Sequence, residues 1–317
     1  MEETYEVLIV GGGPAGFTAG IYCSRANLKT LLLEGATSVS QITLTDIVEN
    51  YPGFPEGIGG IELMEKFRLQ ATNFGLEIST ADVKSITKAQ IQNFPAWQVV
   101  TDKNTYLAFA VIIATGARWR RLNVPGEEAF IGRGVSYCAT CDAPLFRNQE
   151  VVVVGGGDTA VQEALFLTQF ARQVYLVHRR NRLRAAGILK NRALQNPRIK
   201  IIWDSIVEEI KGKEGVEEVI LRHLPTGALH TLSVSGIFVF IGLDPNTEWV
   251  KGLLPLSENG AIVVDREMKT SQTGIFACGD CTDKRLRQVV TACGDGATAA
   301  YSAQLYVEKL KGEGYPR

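Results

Sequence analysis

The 317-residue chain is poor in histidine, with three (His178, His223 and His230), and has no excess of either charge, with 33 basic against 34 acidic residues. That balance gives no reason to expect nucleic acid or an anionic membrane surface as a partner. No apolar run approaches the roughly 20 residues of a membrane span. The most apolar late stretch, Thr231 to Leu243, is too short and is interrupted by Gly236. The opening Met1-Glu2-Glu3-Thr4-Tyr5-Glu6 is acidic and lacks the basic and apolar regions of a signal peptide. The six cysteines (Cys23, Cys138, Cys141, Cys278, Cys281 and Cys293) are scattered, which argues against a disulfide-stapled exported scaffold. A cytoplasmic protein of about two domains is expected, with no metal site.

What is present is one fold signal used twice. Glu6 to Val10 reads as a buried strand, followed by Gly11-Gly12-Gly13-Pro14-Ala15-Gly16 opening a helix. In this pattern one glycine allows the tight turn, one lets backbone approach a pyrophosphate, and one lets helix and strand pack closely. The helix N-terminus favours the phosphates. A second strand, Thr30 to Leu33, delivers Glu34, 23 residues after Gly11, where an acid can bind ribose hydroxyls. This first site suits the unphosphorylated ribose of FAD or NAD.

Downstream, Val151 to Val154 meets Gly155-Gly156-Gly157-Asp158-Thr159-Ala160, and strand Gln173–Val177 ends at His178, 23 residues after Gly155. The equal offset predicts an internal structural repeat. Where the first copy has Glu34, the second has His178-Arg179-Arg180, with Arg184 close behind. Arginines there bind a 2′-phosphate through paired hydrogen bonds, so the second site should prefer NADP(H).

Cys138-Ala139-Thr140-Cys141-Asp142 lies between the two copies. Cysteines two residues apart can close a disulfide and open again, and Asp142 beside them fits proton delivery to a leaving thiolate. The remaining elements serve to place these motifs. Gln41 to Pro55 reads as an irregular loop, with Tyr51-Pro52-Gly53 as a turn. Ile61 to Phe74 reads as a helix stopped by Gly75. Thr105 to Ala114 is a strand that stops at Thr115-Gly116-Ala117. Trp203 to His230 reads as strands and turns, with a hairpin at Pro225-Thr226-Gly227, and Val234 to Gly242 as a buried strand. Beyond it the chain is expected to return to the first domain. There, Gly274 to Cys278 delivers Gly279-Asp280 at a strand end, ahead of Arg287-Gln288-Val289 and a helix within 291–310. The domains expected are 1–117 with 248–317, and 118–247. A second Cys-x-x-Cys, Cys278 to Cys281, is read as incidental, and Cys23 and Cys293 as packed in helices.

Taken in order, Gly11–Gly16, Val48-Glu49-Asn50-Tyr51-Pro52-Gly53, Ala114–Ala117, Cys138–Asp142, Gly155–Ala160, His178–Ala185, Gly279-Asp280 and Arg287-Gln288 resemble the low-molecular-weight thioredoxin reductases over nearly the whole chain. The resemblance implies an α/β protein of two Rossmann-like, three-layer dinucleotide-binding domains, the second inserted in the first. The outer domain would hold FAD, through Gly11, Gly13, Pro14, Ala15, Gly16, Glu34, Gln41, Asn50, Thr115, Gly116, Gly279, Asp280, Arg287, Gln288 and Val289. The inserted one would hold NADPH, through Gly155, Gly157, Asp158, Thr159, Ala160, His178, Arg179, Arg180 and Arg184. It also implies a homodimer, rotation between domains, and electron flow from NADPH through FAD and a Cys138–Cys141 disulfide to thioredoxin. In that scheme Cys141 faces the flavin, Cys138 attacks the partner and Asp142 is the acid–base group.

Two positions depart from the family pattern. Val39-Ser40 replaces the Gly-Gly before Gln41, which lies near the flavin in the family, and Ala143-Pro144 follows Asp142 where glycine is frequent. Glutathione-reductase-like enzymes differ in carrying their cysteines in the FAD domain and in having an added interface domain, and ferredoxin–NADP reductases of similar fold lack the cysteine pair. A disulfide oxidoreductase with another donor or protein partner, and a non-catalytic flavin redox sensor, use the same residues. Turnover with a thioredoxin separates them.

Overall fold

The computed structural model describes residues 3–36, 40–44 and 47–312, without the side chains of Leu44 and Cys141. Val39 therefore lies outside the described residues. The chain divides into two compact units, 1–118 with 244–317, and 119–243.

In the first unit, alternation along each strand sorts side chains to two faces. Strand Glu3–Val10 sends Val7 and Ile9 to a core shared with helices Pro14–Arg25, Gly60–Asn73 and Val289–Lys311. Leu8 and Val10 enter a second core with Trp97, Val99 and Val250. This strand lies between Thr30–Glu34 and Thr105–Ile113, parallel to both, with Val10 opposite Leu33 and Ile113. The sheet runs 77–80, 30–34, 3–10, 105–113, 94–101, 83–91. Strand Ile275–Ala277 joins it beside 105–113, so the C-terminal segment completes the same sheet.

The inserted unit repeats the scheme. Its parallel sheet runs 135–136, 236–240, 150–155, 173–177, 199–202. Val151 and Val153 pack with helix Asp158–Leu167. Val152 and Val154 pack with Val207, Val219 and Leu221 of an antiparallel three-stranded sheet, Ser205–Gly212, Val216–His223 and Leu229–Ser233. Helices, parallel sheet and antiparallel sheet make the three layers. The α/β expectation of two Rossmann-like folds is met.

Differences from the sequence reading lie at element ends and in the irregular loop. The first strand begins at Glu3 rather than Glu6, because Tyr5 is buried and its hydroxyl donates to Glu3 and Glu77. The 41–55 loop contains a 3₁₀ turn, Gln41–Leu44, and a two-residue strand, Ile47–Val48, paired with Ile58–Gly59. The buried strand read over 234–242 is regular only from Gly236 to Phe240. No helix among the described residues is long and apolar enough to cross a membrane.

Leu8 is fully buried at the centre of the first sheet, whereas Leu69 is 60% exposed on helix Gly60–Asn73. Leu8→Ala should cost about 2–5 kcal/mol of stability and Leu69→Ala much less, measured by denaturant unfolding. Equal losses would show that the sheet interior is not the core of this unit.

Candidate functional site: two glycine turns and a disulfide

The first glycine turn is built by close backbone contact. A Cβ on Gly16 would collide with the Gly11 carbonyl, and one on Gly11 with the Ala114 carbonyl. Helix and strand can approach this closely only without side chains there. The Gly11 N–H donates to Leu33 O at 2.9 Å, tying the turn to the strand that carries Glu34. The Glu34 carboxylate lies over Gly12, where a Cβ would overlap it. Helix Pro14–Arg25 follows with no side-chain cap on its N-terminus, so its first-turn amides remain available to an anion.

The second turn has the same construction with different chemistry on top. The third glycine is replaced by Ala160, whose Cβ would stand 2.6 Å from one on Gly155. In the place of the Glu34 carboxylate, the His178 ring lies against Gly156. Burial, reinforced by the positive field of Arg184, Arg179 and Arg180, holds His178 below its usual pKa, against a backbone hydrogen bond at Arg182 that raises it. The imidazole is therefore neutral near pH 7, and the positive charge here comes from the exposed Arg179, Arg180 and Arg184. Gly156 O accepts the N–H groups of Arg184 (2.6 Å) and Ala185 (3.2 Å), so the arginine loop is tied to the turn. Asp158 accepts the Ala186 N–H at 2.6 Å and fastens the end of that loop. Gly157 stands at the helix N-cap without a side-chain cap, and Thr159 is exposed in the first turn.

Other residues singled out in the outer unit converge across long sequence separations. Thr115 Oγ1 donates to Asn246 O (2.8 Å), the Asn246 amide donates to Thr115 O (3.0 Å), and Asn246 N–H donates to Gly116 O (3.0 Å). Gln41 donates through its side-chain amide to Ala117 O. Asn50 donates to Gln288 Oε1 at 2.9 Å, and Gln288 caps helix Val289–Lys311 reciprocally with Thr291. Arg287 Nε donates to Asp280 O at 3.4 Å. Asp280 Oδ1 is buried and has no protein partner. Burial pushes its carboxyl above the usual range, opposed by Lys284 and Arg287. An unpaired buried acceptor costs about 1–3 kcal/mol, and a hydroxyl-bearing ligand such as FAD would relieve it. The donor set, the glycine cradle and this orphan oxygen fit FAD.

The Cys138–Asp142 segment belongs to the inserted unit. Cys138 is disulfide-bonded, and Cys23, Cys278, Cys281 and Cys293 are free thiols. Cys138 begins the approach to a short helix, Ala139–Asp142, whose backbone also carries Cys141; the Cys141 side chain lies outside the described residues. The Ser136 hydroxyl accepts the Cys138 N–H (3.0 Å) and donates to Cys138 O (3.1 Å). Asp142 is half-buried, and its N–H donates to Cys138 O at 3.3 Å. Ala143 is fully buried, so the methyl that replaces the family's glycine packs in the core.

Three groups escaped the sequence reading. The sequence reading gives Asn246 no role. Arg68 pairs with Glu34 and lies over the Phe17 ring, 5.2 Å from its centre. Buried Glu127 accepts the N–H groups of Leu122 (2.8 Å) and Asn123 (2.6 Å) and the Tyr137 hydroxyl (2.5 Å). Glu127 in Gly126-Glu127-Glu128 carries no local mark that separates it from a surface acid.

The second Cys-x-x-Cys is divided by the sheet. Cys278 belongs to the helix-side core and Cys281 to the opposite one. Among the described residues no cluster of His, Cys, Asp and Glu could hold a metal ion.

The family model for pyridine nucleotide-disulphide oxidoreductases matches residues 5–296. The chain belongs to that family. It is 44% identical to a thioredoxin reductase of Treponema pallidum over 98% of this chain and 100% of that one. Among solved structures, it is similar to a Lactococcus lactis thioredoxin reductase, with a TM-score of 0.92 and 43% identity over 96% of this chain and 99% of the other. It is also similar to a ferredoxin-flavin thioredoxin reductase of Clostridium acetobutylicum, with a TM-score of 0.51 and 33% identity, covering 98% and 100%.

Burial raises the Cys23 thiol to about 12 and the Cys281 thiol to about 11, and raises Cys278 strongly as well. At pH 8 about one Cys281 in a thousand would be thiolate, the reactive form. Iodoacetamide added to the reduced native protein should therefore modify Cys138 and spare Cys23, Cys278 and Cys281, as read by peptide mass spectrometry. Labelling of Cys278 or Cys281 at the rate of Cys138 would make the second pair chemically competent.

Proposed function

We propose that the protein is a flavoprotein disulfide reductase that passes electrons from NADPH through FAD and a Cys138–Cys141 disulfide to thioredoxin, acting as a cytoplasmic homodimer. The observation that carries this reading is the contrast between two glycine turns of one design. A carboxylate covers Gly12, whereas a neutral histidine and an arginine loop accompany Gly156. Support for the protein partner comes from the thioredoxin reductases it is similar to.

In this reading Glu34 binds the ribose of FAD, the Pro14–Arg25 helix start receives its pyrophosphate, and Asp280 accepts a hydroxyl. Arg179, Arg180 and Arg184 bind the 2′-phosphate of NADPH, and Asp158 holds their loop in place. Bound FAD supplies hydride acceptance from NADPH and two-electron delivery to a disulfide. Once reduced, the Cys138 thiolate attacks one sulfur of the partner's disulfide and expels the other as a thiolate, giving a mixed disulfide. Cys141 then attacks Cys138, restores the intramolecular disulfide and releases the partner as a dithiol. Asp142 holds the proton that the departing thiolate takes up.

Anaerobic mixing tests the donor assignment. NADPH should bleach the flavin absorbance rapidly and NADH slowly. Removing one charge-assisted contact, as in Arg180→Ala, should reduce the preference for NADPH roughly tenfold. Slow bleaching by both nucleotides would replace this donor with a different one, and ferredoxin, named for the Clostridium neighbour, would be tried first. Cys138→Ser should keep the bleaching and abolish thioredoxin reduction; retained turnover would remove Cys138 from the reaction.

A further inference from the structure

The turn that carries Asp280 is held from outside its own strand. Gly279 adopts φ +75°, and a Cβ there would stand 2.8 Å from that of Ala15, so the turn lies against the first turn of the Pro14–Arg25 helix. Its carbonyl accepts the Thr282 hydroxyl at 2.7 Å and the Thr282 N–H at 3.1 Å. Its N–H does not join the sheet. It donates instead to Asp295 Oδ2 at 3.2 Å, on helix Val289–Lys311. The same oxygen is ion-paired with Lys284. The two side chains are only 20% and 15% exposed, so water screens this pair less than an ordinary surface bridge. Arg287 completes the cluster through Asp280 O. Two carboxylates and two cations thus share a small volume beside an aspartate oxygen that has no protein partner.

We propose that Asp295 and Lys284 are positioning residues for flavin binding: Asp295 fixes the Gly279 backbone and thereby aims Asp280, and Lys284 supplies the charge that lets Asp295 sit beside Asp280. Neither residue is assigned contact with the flavin. The inference rests on FAD occupying the outer unit. Three physical points support it. The Thr282 contacts hold only the Gly279 carbonyl, so removing the Asp295 side chain leaves the Gly279 N–H without its partner. An aspartate with an orphan buried oxygen depends on direction for its worth to a ligand. Two carboxylates this close repel unless a cation stands between them.

The test uses the full-length holoprotein and reads FAD release by the fluorescence of freed flavin, the flavin midpoint potential, and thermal unfolding with and without added FAD. Asp295→Ala should weaken FAD retention roughly tenfold or more. Lys284→Arg should retain FAD as wild type does, and Lys284→Ala should weaken it. The Asp295→Ala/Lys284→Ala pair should cost less than the sum of the single changes, because no charge is left unpaired. Asp295→Asn, which keeps an acceptor oxygen but no charge, should retain FAD better than Asp295→Ala and shift the midpoint potential. If Asp295→Ala and Lys284→Ala both hold FAD within twofold of wild type while lowering the melting temperature of the FAD-free chain, the pair is a helix clamp and the proposal falls. Strictly additive losses would likewise overturn the coupling. A wild-type chain that binds no FAD would overturn the proposed function first, and that is visible before any variant is made.

Discussion

Close approach of backbone to backbone is the constraint on which both units depend. Each glycine turn lies where a strand ends and a helix starts almost on top of it, and the nearest atoms to a Cβ on Gly11, Gly16 or Gly155 are carbonyl oxygens. Gly16 over Gly11, and Ala160 against Gly155, set the distance between helix and sheet. From that distance follow the layer spacing, the burial of Val7, Ile9, Val151 and Val153, and the direction in which the helix N-termini point. The next strand then delivers one side chain onto the middle glycine. That side chain is Glu34 in one unit and His178 in the other.

The frame shows how a repeat can carry different side chains on one fold. His178 is buried against Gly156, whereas Glu34 is half-buried over Gly12. The arginine loop after His178 is anchored by Gly156 O and Asp158, groups that belong to the turn itself. In the outer unit, Gly35 to Ser40 after Glu34 contain no arginine. That unit answers with Arg68, brought by a helix from a different part of the chain to pair with Glu34.

Much of this was legible in the sequence because it is written locally. Strand, glycines, helix and the residue that covers the middle glycine fall within about 25 residues, and their equal spacing in the two copies exposed the repeat. The return of the C-terminal segment was legible as an apolar strand ending in Gly279-Asp280, which the register of Ile275–Ala277 beside Val111–Ile113 places in the first sheet. What was not legible is non-local. Asn246 meets Thr115 across 131 residues, and Asn50 meets Gln288 across 238. Glu127 and Asp295 look like solvated acids until the fold buries them or sets a backbone N–H against them. Cys278 packs in the helix-side core and Cys281 in the opposite one, a separation that their spacing does not reveal.

Glu127 has a mechanical consequence. One carboxylate holds the amides of Leu122 and Asn123 with one oxygen each, and the hydroxyl of Tyr137 shares the first. Residue 137 is the immediate neighbour of the disulfide, and residues 122–123 lie just inside the point where the inserted unit begins. The two stretches are riveted at a buried point. Residues 122–123 are thereby coupled to residue 137, next to Cys138, through one side chain's three hydrogen bonds rather than through the sheet.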